Sequence, residues 1–236
     1  MNGRLYMYIP KRFIVITPHP DDAELGAGGT ISKWISEGSY GVLLVCTNGD
    51  KGSAEPDMTS QKLSDIRAIE QRAASEIMGL QEVIYFDYPD GELEDTKEFR
   101  ERIVKNIRRY RPEVVLSTDP VRQKFYIHRD HRIAGQVVLD AVYPYSRDRL
   151  YYPHHENEGI LTHKVADVLF WGSENPNETV NITQYIDTKI EALKQHSSQL
   201  SDKQSIGARL KDSAKRAALN QEYQYGESFR RVTFRD

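Results

Sequence analysis

The sequence predicts an α/β fold, a doubly wound and mostly parallel sheet with helices on both faces. Short apolar, β-branched runs recur along the chain, the pattern of strands covered on both sides. Segments with apolar residues at helical spacing separate them, so the beat is βαβα, which calls for right-handed crossovers between parallel strands. The chain of 236 residues is 39% hydrophobic and 28% charged, enough for one well-covered core. No Pro/Gly/Ser-rich linker, low-complexity tract or repeat marks a boundary, so one domain over residues 1–236 is expected.

Phe13-Ile14-Val15-Ile16, closed by Pro18, reads as the first strand. Asp21 and Asp22 then stand where a helix N-terminus favours acids, Ile31, Trp34 and Ile35 follow at helical spacing, and Gly38 stops the helix. A second buried strand at 42–46 leads into the turn-rich 47–52, and 63–78 reads as a long helix capped by Gly79. A strand at 83–86, a loop at 87–95, a helix at 97–110 ended by Pro112 and a strand at 114–116 continue the alternation. After a polar loop at 118–129 comes a helix carrying Ile133, Val137, Val138 and Ala141, then strands at 165–171 and 179–182. From Thr183 the chain reads as helical and charged until a closing strand at 229–234. The arrangement is Rossmann-like, and its ligands are expected outside the carboxyl ends of the strands. The loops there hold His19, His128, His131 and many of the aspartates.

A net charge of -3 and a pI near 6.2 leave no global footprint for nucleic acid, and the basic runs at 105–111 and Arg230-Arg231 read as solvated faces. The lone cysteine, Cys46, lies in an apolar run, so a buried thiol and a reducing compartment are expected. The N-terminal segment shows neither a signal-peptide pattern nor a membrane span, and the expectation is a soluble cytoplasmic protein.

A catalytic zinc site wants three protein ligands and one open position, and two histidines with one carboxylate suit it. His19 and Asp22 stand three residues apart across a strand-to-helix turn and can converge on one ion while Asp21 points elsewhere. His128-Arg129-Asp130-His131 repeats the spacing, and His131 can complete the set. The competing explanations are a helix capped by acids at 21–22 and a surface turn with a cap at 128–131. Gly26-Ala27-Gly28-Gly29 fails the dinucleotide spacing and no P-loop lysine follows, so close helix-to-sheet packing explains these glycines better. His154-His155 offers no obvious spaced partner and is set aside.

These residues resemble the LmbE/PIG-L deacetylases. The resemblance rests on Pro18-His19-Pro20-Asp21-Asp22-Ala23-Glu24, Gly26-Ala27-Gly28-Gly29-Thr30, Thr47-Asn48-Gly49-Asp50 and His128-Arg129-Asp130-His131. Tyr88 to Leu93, Gln195 to Gln199 and Tyr225 to Arg230 also look family-like, with archaeal chitobiose deacetylases the nearest subgroup. The resemblance implies one Zn2+ per chain, with Fe2+ another candidate, held by His19, Asp22 and His131. It also implies Asp21 as general base and His128, protonated, as donor to the oxyanion. Asp130 is expected to orient one of the histidines, and Arg67 and Asp90 to face the sugar. An Arg67–Glu70 helix pair and a Pro-Asp-Gly turn at 89–91 account for the last two equally well. His196 either approaches the site or is a satisfied surface histidine.

The implied reaction is hydrolytic N-deacetylation of an N-acetylglucosamine-type sugar or conjugate, by a homo-oligomer, trimeric or hexameric. Arg129 stands where the family usually has Pro, and the chain ends at Asp236 without the extra histidine some relatives carry, which puts completion of the site by a neighbouring chain in doubt. Hydrolysis of another N-acyl metabolite, a two-histidine, one-carboxylate iron oxygenase, and a non-catalytic sugar-binding module are the competing functions.

Overall fold

A computed structural model of the chain describes residues 4–5 and 8–234. Its strands are β1 (Arg4–Leu5), β2 (Arg12–Thr17), β3 (Tyr40–Thr47), β4 (Glu82–Tyr88), β5 (Val114–Thr118), β6 (Asp167–Trp171), β7 (Glu178–Asn181) and β8 (Gly226–Thr233). The helices are α1 (Asp22–Ser36), α2 (Ser60–Met78), α3 (Lys97–Tyr110), α4 (Arg129–Asp140), α5 (Ile186–Lys194) and α6 (Lys203–Ala217). All eight strands join one sheet in the order β1-β7-β8-β6-β5-β2-β3-β4, and only β8 runs antiparallel to its neighbours. The doubly wound, mostly parallel architecture read from the sequence is therefore observed. β1 had no counterpart in that reading, because two residues carry no detectable period.

Alternate residues of the central strands feed two cores. Val15, Leu43, Val45 and Leu116 face α1, α2, α5 and α6 through Ala27, Ile31, Trp34, Met78, Ile190 and Leu210. Ile14, Ile16, Val42, Leu44 and Val115 face α3 and α4 through Phe99, Ile103, Ile107, Val137 and Val138. Burial on both faces is what made these strands continuous apolar runs instead of alternating ones. The glycines of α1 are packing glycines: a Cβ on Gly26 would lie 2.3 Å from Trp171 Cγ, and one on Gly29 2.7 Å from Ile182 Cδ1.

Two basic segments are less solvated than the sequence suggested. Arg108, in α3, is buried, and its guanidinium donates to the carbonyls of Tyr145, Asp148 and Tyr151, each at 2.8 Å, so it clamps the long excursion after α4. Arg230 forks onto Asp119 at 2.7 and 2.8 Å, and Arg231 grips Asp167. In each case the partner is distant in sequence, which is why a local charge run could not reveal it. Among the described residues no helix is long and apolar enough to cross a membrane.

From β2 the chain winds one way to β3 and β4, and from β5 the other way to β6. The carboxyl ends of β2 and β5 thus part at the switch point and leave a crevice. The turn at 18–21 and the loop at 119–128 flank it.

Because α1 sits so close to the sheet, Gly26→Ala is expected to lower the free energy of unfolding by about 1–3 kcal/mol through overpacking against Trp171. Urea unfolding measures this, and an unchanged midpoint would show that the contact relaxes freely.

Candidate metal centre

The turn after β2 is stitched to its neighbours before any chemistry begins. Pro18 O accepts from Thr47 N and Thr47 Oγ1, both at 2.9 Å, and Thr17 Oγ1 donates to His19 O. His19 is thereby held at the mouth of the crevice, and Asp22 opens α1 beside it. Asp22 Oδ2 lies 3.1 Å from His19 N, 3.0 Å from His19 Nδ1 and 3.0 Å from His131 Nε2. His131 arrives from the first turn of α4, so the three side chains meet although 109 residues of sequence separate Asp22 from His131.

Four-coordinate zinc with bonds of 2.0–2.2 Å would set neighbouring ligand atoms about 3.3 Å apart, close to the spacing found. His131 Nε2 is buried and makes no hydrogen bond, despite the nearby carboxylate oxygen. An orphaned buried nitrogen is costly in a purely protein environment, and a cation between the two groups would satisfy it. Its other nitrogen, Nδ1, is 3.1 Å from Thr118 Oγ1, which leaves Nε2 facing the cluster.

His19 is oriented from behind. Its Nε2 lies 3.1 Å from Asp130 Oδ2 and 3.0 Å from Asp90 Oδ1, so Nε2 donates to these acids and Nδ1 is the nitrogen turned towards Asp22. Asp130 is itself fixed by Gly91 N, which donates to Oδ2 at 2.7 Å, and Leu93 N, which donates to Oδ1 at 3.2 Å. A second grouping of His19, Asp90, His128 and Asp130 lies within ligand reach. There the Asp130 oxygens are already engaged by backbone donors, so the His19–Asp22–His131 set fits an ion better.

The electrostatics agree. Burial opposes a charge on His19, yet the carboxylates of Asp130, Asp22 and Asp90 outweigh it and push the imidazole well above its ordinary range. Burial likewise raises Asp22, but His131 and His19 hold its carboxyl well below the usual carboxylate range. Several acids around one imidazole make a place that wants positive charge.

Asp21 sits at the side of this cluster in a left-handed backbone conformation, φ 95°, a strain of about 1–3 kcal/mol for a residue with a Cβ. Its side chain is 26% exposed, and burial, with the Asp22 charge beside it, pushes its carboxyl up to about 7. Arg67 opposes that rise. The Arg67 guanidinium donates to Pro20 O at 2.5 Å, Gly49 O at 3.1 Å and Asp21 Oδ2 at 3.3 Å. Arg67 therefore braces the turn at 18–21. It does not pair with Glu70, which instead accepts from Ser197 and Ser198. Asp90 stays at the rim, with Oδ2 3.9 Å from Arg67 Nη1.

His128 caps α4, its Nδ1 accepting from Asp130 N at 3.1 Å. Because Nδ1 accepts a backbone N–H, the ring hydrogen sits on Nε2, and burial together with the charge on His19 lowers the pKa of the ring. Its ring centroid lies 4.7 Å from that of His19 and 5.6 Å from that of His131.

Tyr126 escaped the sequence reading. Its ring stands edge-on to His131 at 4.9 Å and stacks on His128 at 6.2 Å, and the only local signal was an aromatic two residues before His128. His196 is wholly buried near Glu24, which removes the surface alternative. His154 and His155 do find a partner, Glu101 of α3. Arg108 Nη1 faces His155 Nδ1 at 3.2 Å and can only donate, so the His155 proton sits on the nitrogen a metal would need.

A doubly wound sheet with two histidines, an aspartate and a spare carboxylate at its switch point has the layout of a metal-assisted hydrolase. The GlcNAc-PI de-N-acetylase (PIG-L) family model matches residues 14–142, and the chain belongs to that family of deacetylases. It is 34% identical to the diacetylchitobiose deacetylase of Thermococcus kodakarensis, over 80% of this chain and 70% of that protein. It is 27% identical to a probable N-acetyl-alpha-D-glucosaminyl L-malate deacetylase 2 of Bacillus anthracis, covering 82% of this chain and 83% of the relative. In structure it resembles the N,N′-diacetylchitobiose deacetylase from Pyrococcus horikoshii, solved with an inhibitor. The TM-score is 0.88 at 26% identity, with 95% of this chain and 84% of that one covered.

Since Asp130 faces His19 from behind, Asp130→Ala is expected to weaken zinc affinity by about 10–100-fold while leaving His19, Asp22 and His131 in place. Competition with a chromophoric chelator reads this directly, and unaltered affinity would show that Asp130 does not orient the ligand.

Proposed function

We propose that this chain is a zinc-dependent deacetylase acting on the 2-acetamido group of an N-acetylglucosamine-type sugar or sugar conjugate. The observation that carries the reading is the orphaned His131 Nε2 facing Asp22 Oδ2 and His19 Nδ1, with the unliganded carboxylate of Asp21 alongside. Zinc held by His19, Asp22 and His131 supplies Lewis acidity towards the acetyl carbonyl and makes water a usable nucleophile at neutral pH.

The protein's own groups do the rest. Asp21 accepts the proton of the attacking water as its oxygen bonds to the acetyl carbon, which suits a carboxyl poised near 7. His128 Nε2–H donates to the oxyanion that develops. When the C–N bond breaks, Asp21 returns its proton to the leaving nitrogen, giving acetate and the free amine. Asp90, at the rim, offers an acceptor for sugar hydroxyls, and Arg67 holds Asp21 in range. A 2-acetamido sugar is common to the substrates named for the two relatives, which supports that substrate class. The lone buried thiol, Cys46, fits a reducing compartment, and we place the enzyme in the cytoplasm.

Acetate release is the test, using metal-stripped protein with and without zinc on N-acetylglucosamine, N,N′-diacetylchitobiose and glycosyl conjugates. Zinc is expected to restore release, and Asp21→Asn to reduce kcat by about 100–10,000-fold. Release from no substrate by zinc-loaded protein would move the assignment to another N-acyl compound or to sugar binding without chemistry. A second outcome concerns pH. Arg67 lowers the pKa of Asp21 and the base works deprotonated, so Arg67→Gln is expected to move the acidic limb of kcat/KM to higher pH in protein that retains zinc. A limb that stays put would separate it from Asp21.

A further inference from the structure

Behind Asp21 lies a set of buried polar residues that the reaction as described does not use. Gln71, on α2, is wholly buried, and its Oε1 accepts the backbone N–H of Asp21 at 3.2 Å. Its Nε2 donates to Glu24 Oε1 at 2.7 Å and to Ser75 Oγ at 3.3 Å. A carboxylate can only accept, so Glu24 dictates which way the Gln71 amide points and keeps its oxygen on Asp21. Glu24 is also wholly buried, and its Oε2 has no hydrogen-bond partner but lies 3.5 Å from His196 Nε2. His196 is equally buried, with neither ring nitrogen hydrogen-bonded.

The segment carrying His196 is locked to the same helix. Glu70, one residue before Gln71, accepts from Ser197 Oγ and Ser198 N at 2.8 Å and from Ser198 Oγ at 2.7 Å. Three parts of the chain, α1, α2 and the segment after α5, therefore close on the back of one residue. That residue is held at φ 95°, the largest positive φ of any non-glycine among the described residues. A strained backbone persists only where its surroundings over-determine it, and here Gln71 holds the Asp21 N–H while Arg67 braces the turn before it and Leu25 N closes on the Asp21 carbonyl. Burying a carboxylate, an imidazole and an amide merely to pack two helices would be costly when apolar residues would serve.

We propose that Gln71, Glu24 and His196 form a positioning relay that holds Asp21 in its left-handed conformation, Gln71 by direct contact, Glu24 by orienting Gln71, and His196 by anchoring Glu24. The relay deepens the deacetylase reading and rests on Asp21 acting as the base. None of the three touches the reacting atoms.

The experiment is a double-mutant cycle on zinc-loaded enzyme, reading acetate release from N,N′-diacetylchitobiose, with kcat and KM separated and zinc content measured for each variant. Gln71→Leu is expected to lower kcat by about 10–100-fold, as small misplacements of a base do, with KM within about twofold and full zinc occupancy. In an Asp21→Asn background the same change is expected to cost less than about threefold, because the residue it holds no longer works. Glu24→Gln, which keeps an acceptor for Gln71, is expected to retain most activity where Glu24→Leu does not, and this pair carries the comparison if Gln71→Leu fails to fold. His196→Phe is expected to follow Glu24→Leu. Losses that multiply in both backgrounds, or that appear as lost zinc or raised KM, would overturn the relay while leaving Asp21 as base. Full activity of Asp21→Asn alone would overturn the base assignment, and the relay with it.

Discussion

One carboxylate oxygen organises the crevice. Asp22 Oδ2 stands within 3.1 Å of the His19 backbone nitrogen, His19 Nδ1 and His131 Nε2, and so joins the end of β2, the start of α1 and the start of α4. Such a meeting point is possible only where adjacent parallel strands send their chains in opposite directions, as β2 and β5 do. Everything else in the crevice adjusts to it. Asp130 and Asp90 lie against the far side of His19, Thr118 lies against the far side of His131, and Asp21 takes up its left-handed backbone conformation between Pro20 and the first turn of α1.

The same arrangement explains why so much charge is buried here. Asp22, Asp130, His19, His131, Arg67, Glu24 and His196 are all withdrawn from solvent, and isolated charges in that position would unfold the domain. They are tolerated because each is placed against an opposite charge or a donor, and because backbone amides at Gly91 and Leu93 serve Asp130. The apolar cores on either side of the sheet carry the stability that lets this polar layer exist. Glycines 26 and 29 let α1 settle against Trp171 and Ile182, which sets the height at which Asp22 meets the crevice.

Legibility from sequence varied with the range of the interaction. α3 was read at its observed limits, because a capping Thr96, an apolar stripe and Arg111-Pro112 are all local signals. β8 was read three residues late, since its first residues pair with β7 in a register that no neighbouring residue encodes. His19, Asp22 and His131 were singled out by spacing after strands, and the structure brings them together. The contacts of Arg67 with Pro20, Gly49 and Asp21 and the pairing of Arg108 have no local signal in the sequence, and neither has the approach of Tyr126 to His131.

The sequence by itself determined the order of strands and helices, the faces they bury, and which residue types lie in the loops at one edge of the sheet. Those follow from periodicity and turn chemistry, whose physical range is a few residues. Tertiary structure decided which nitrogen of each histidine faces the cluster, which acids lie against it, and that Gln71, Glu24 and His196 converge behind Asp21. These depend on distances between segments up to 172 positions apart, Glu24 to His196, and such distances are set only when strand order and helix packing bring the segments into contact.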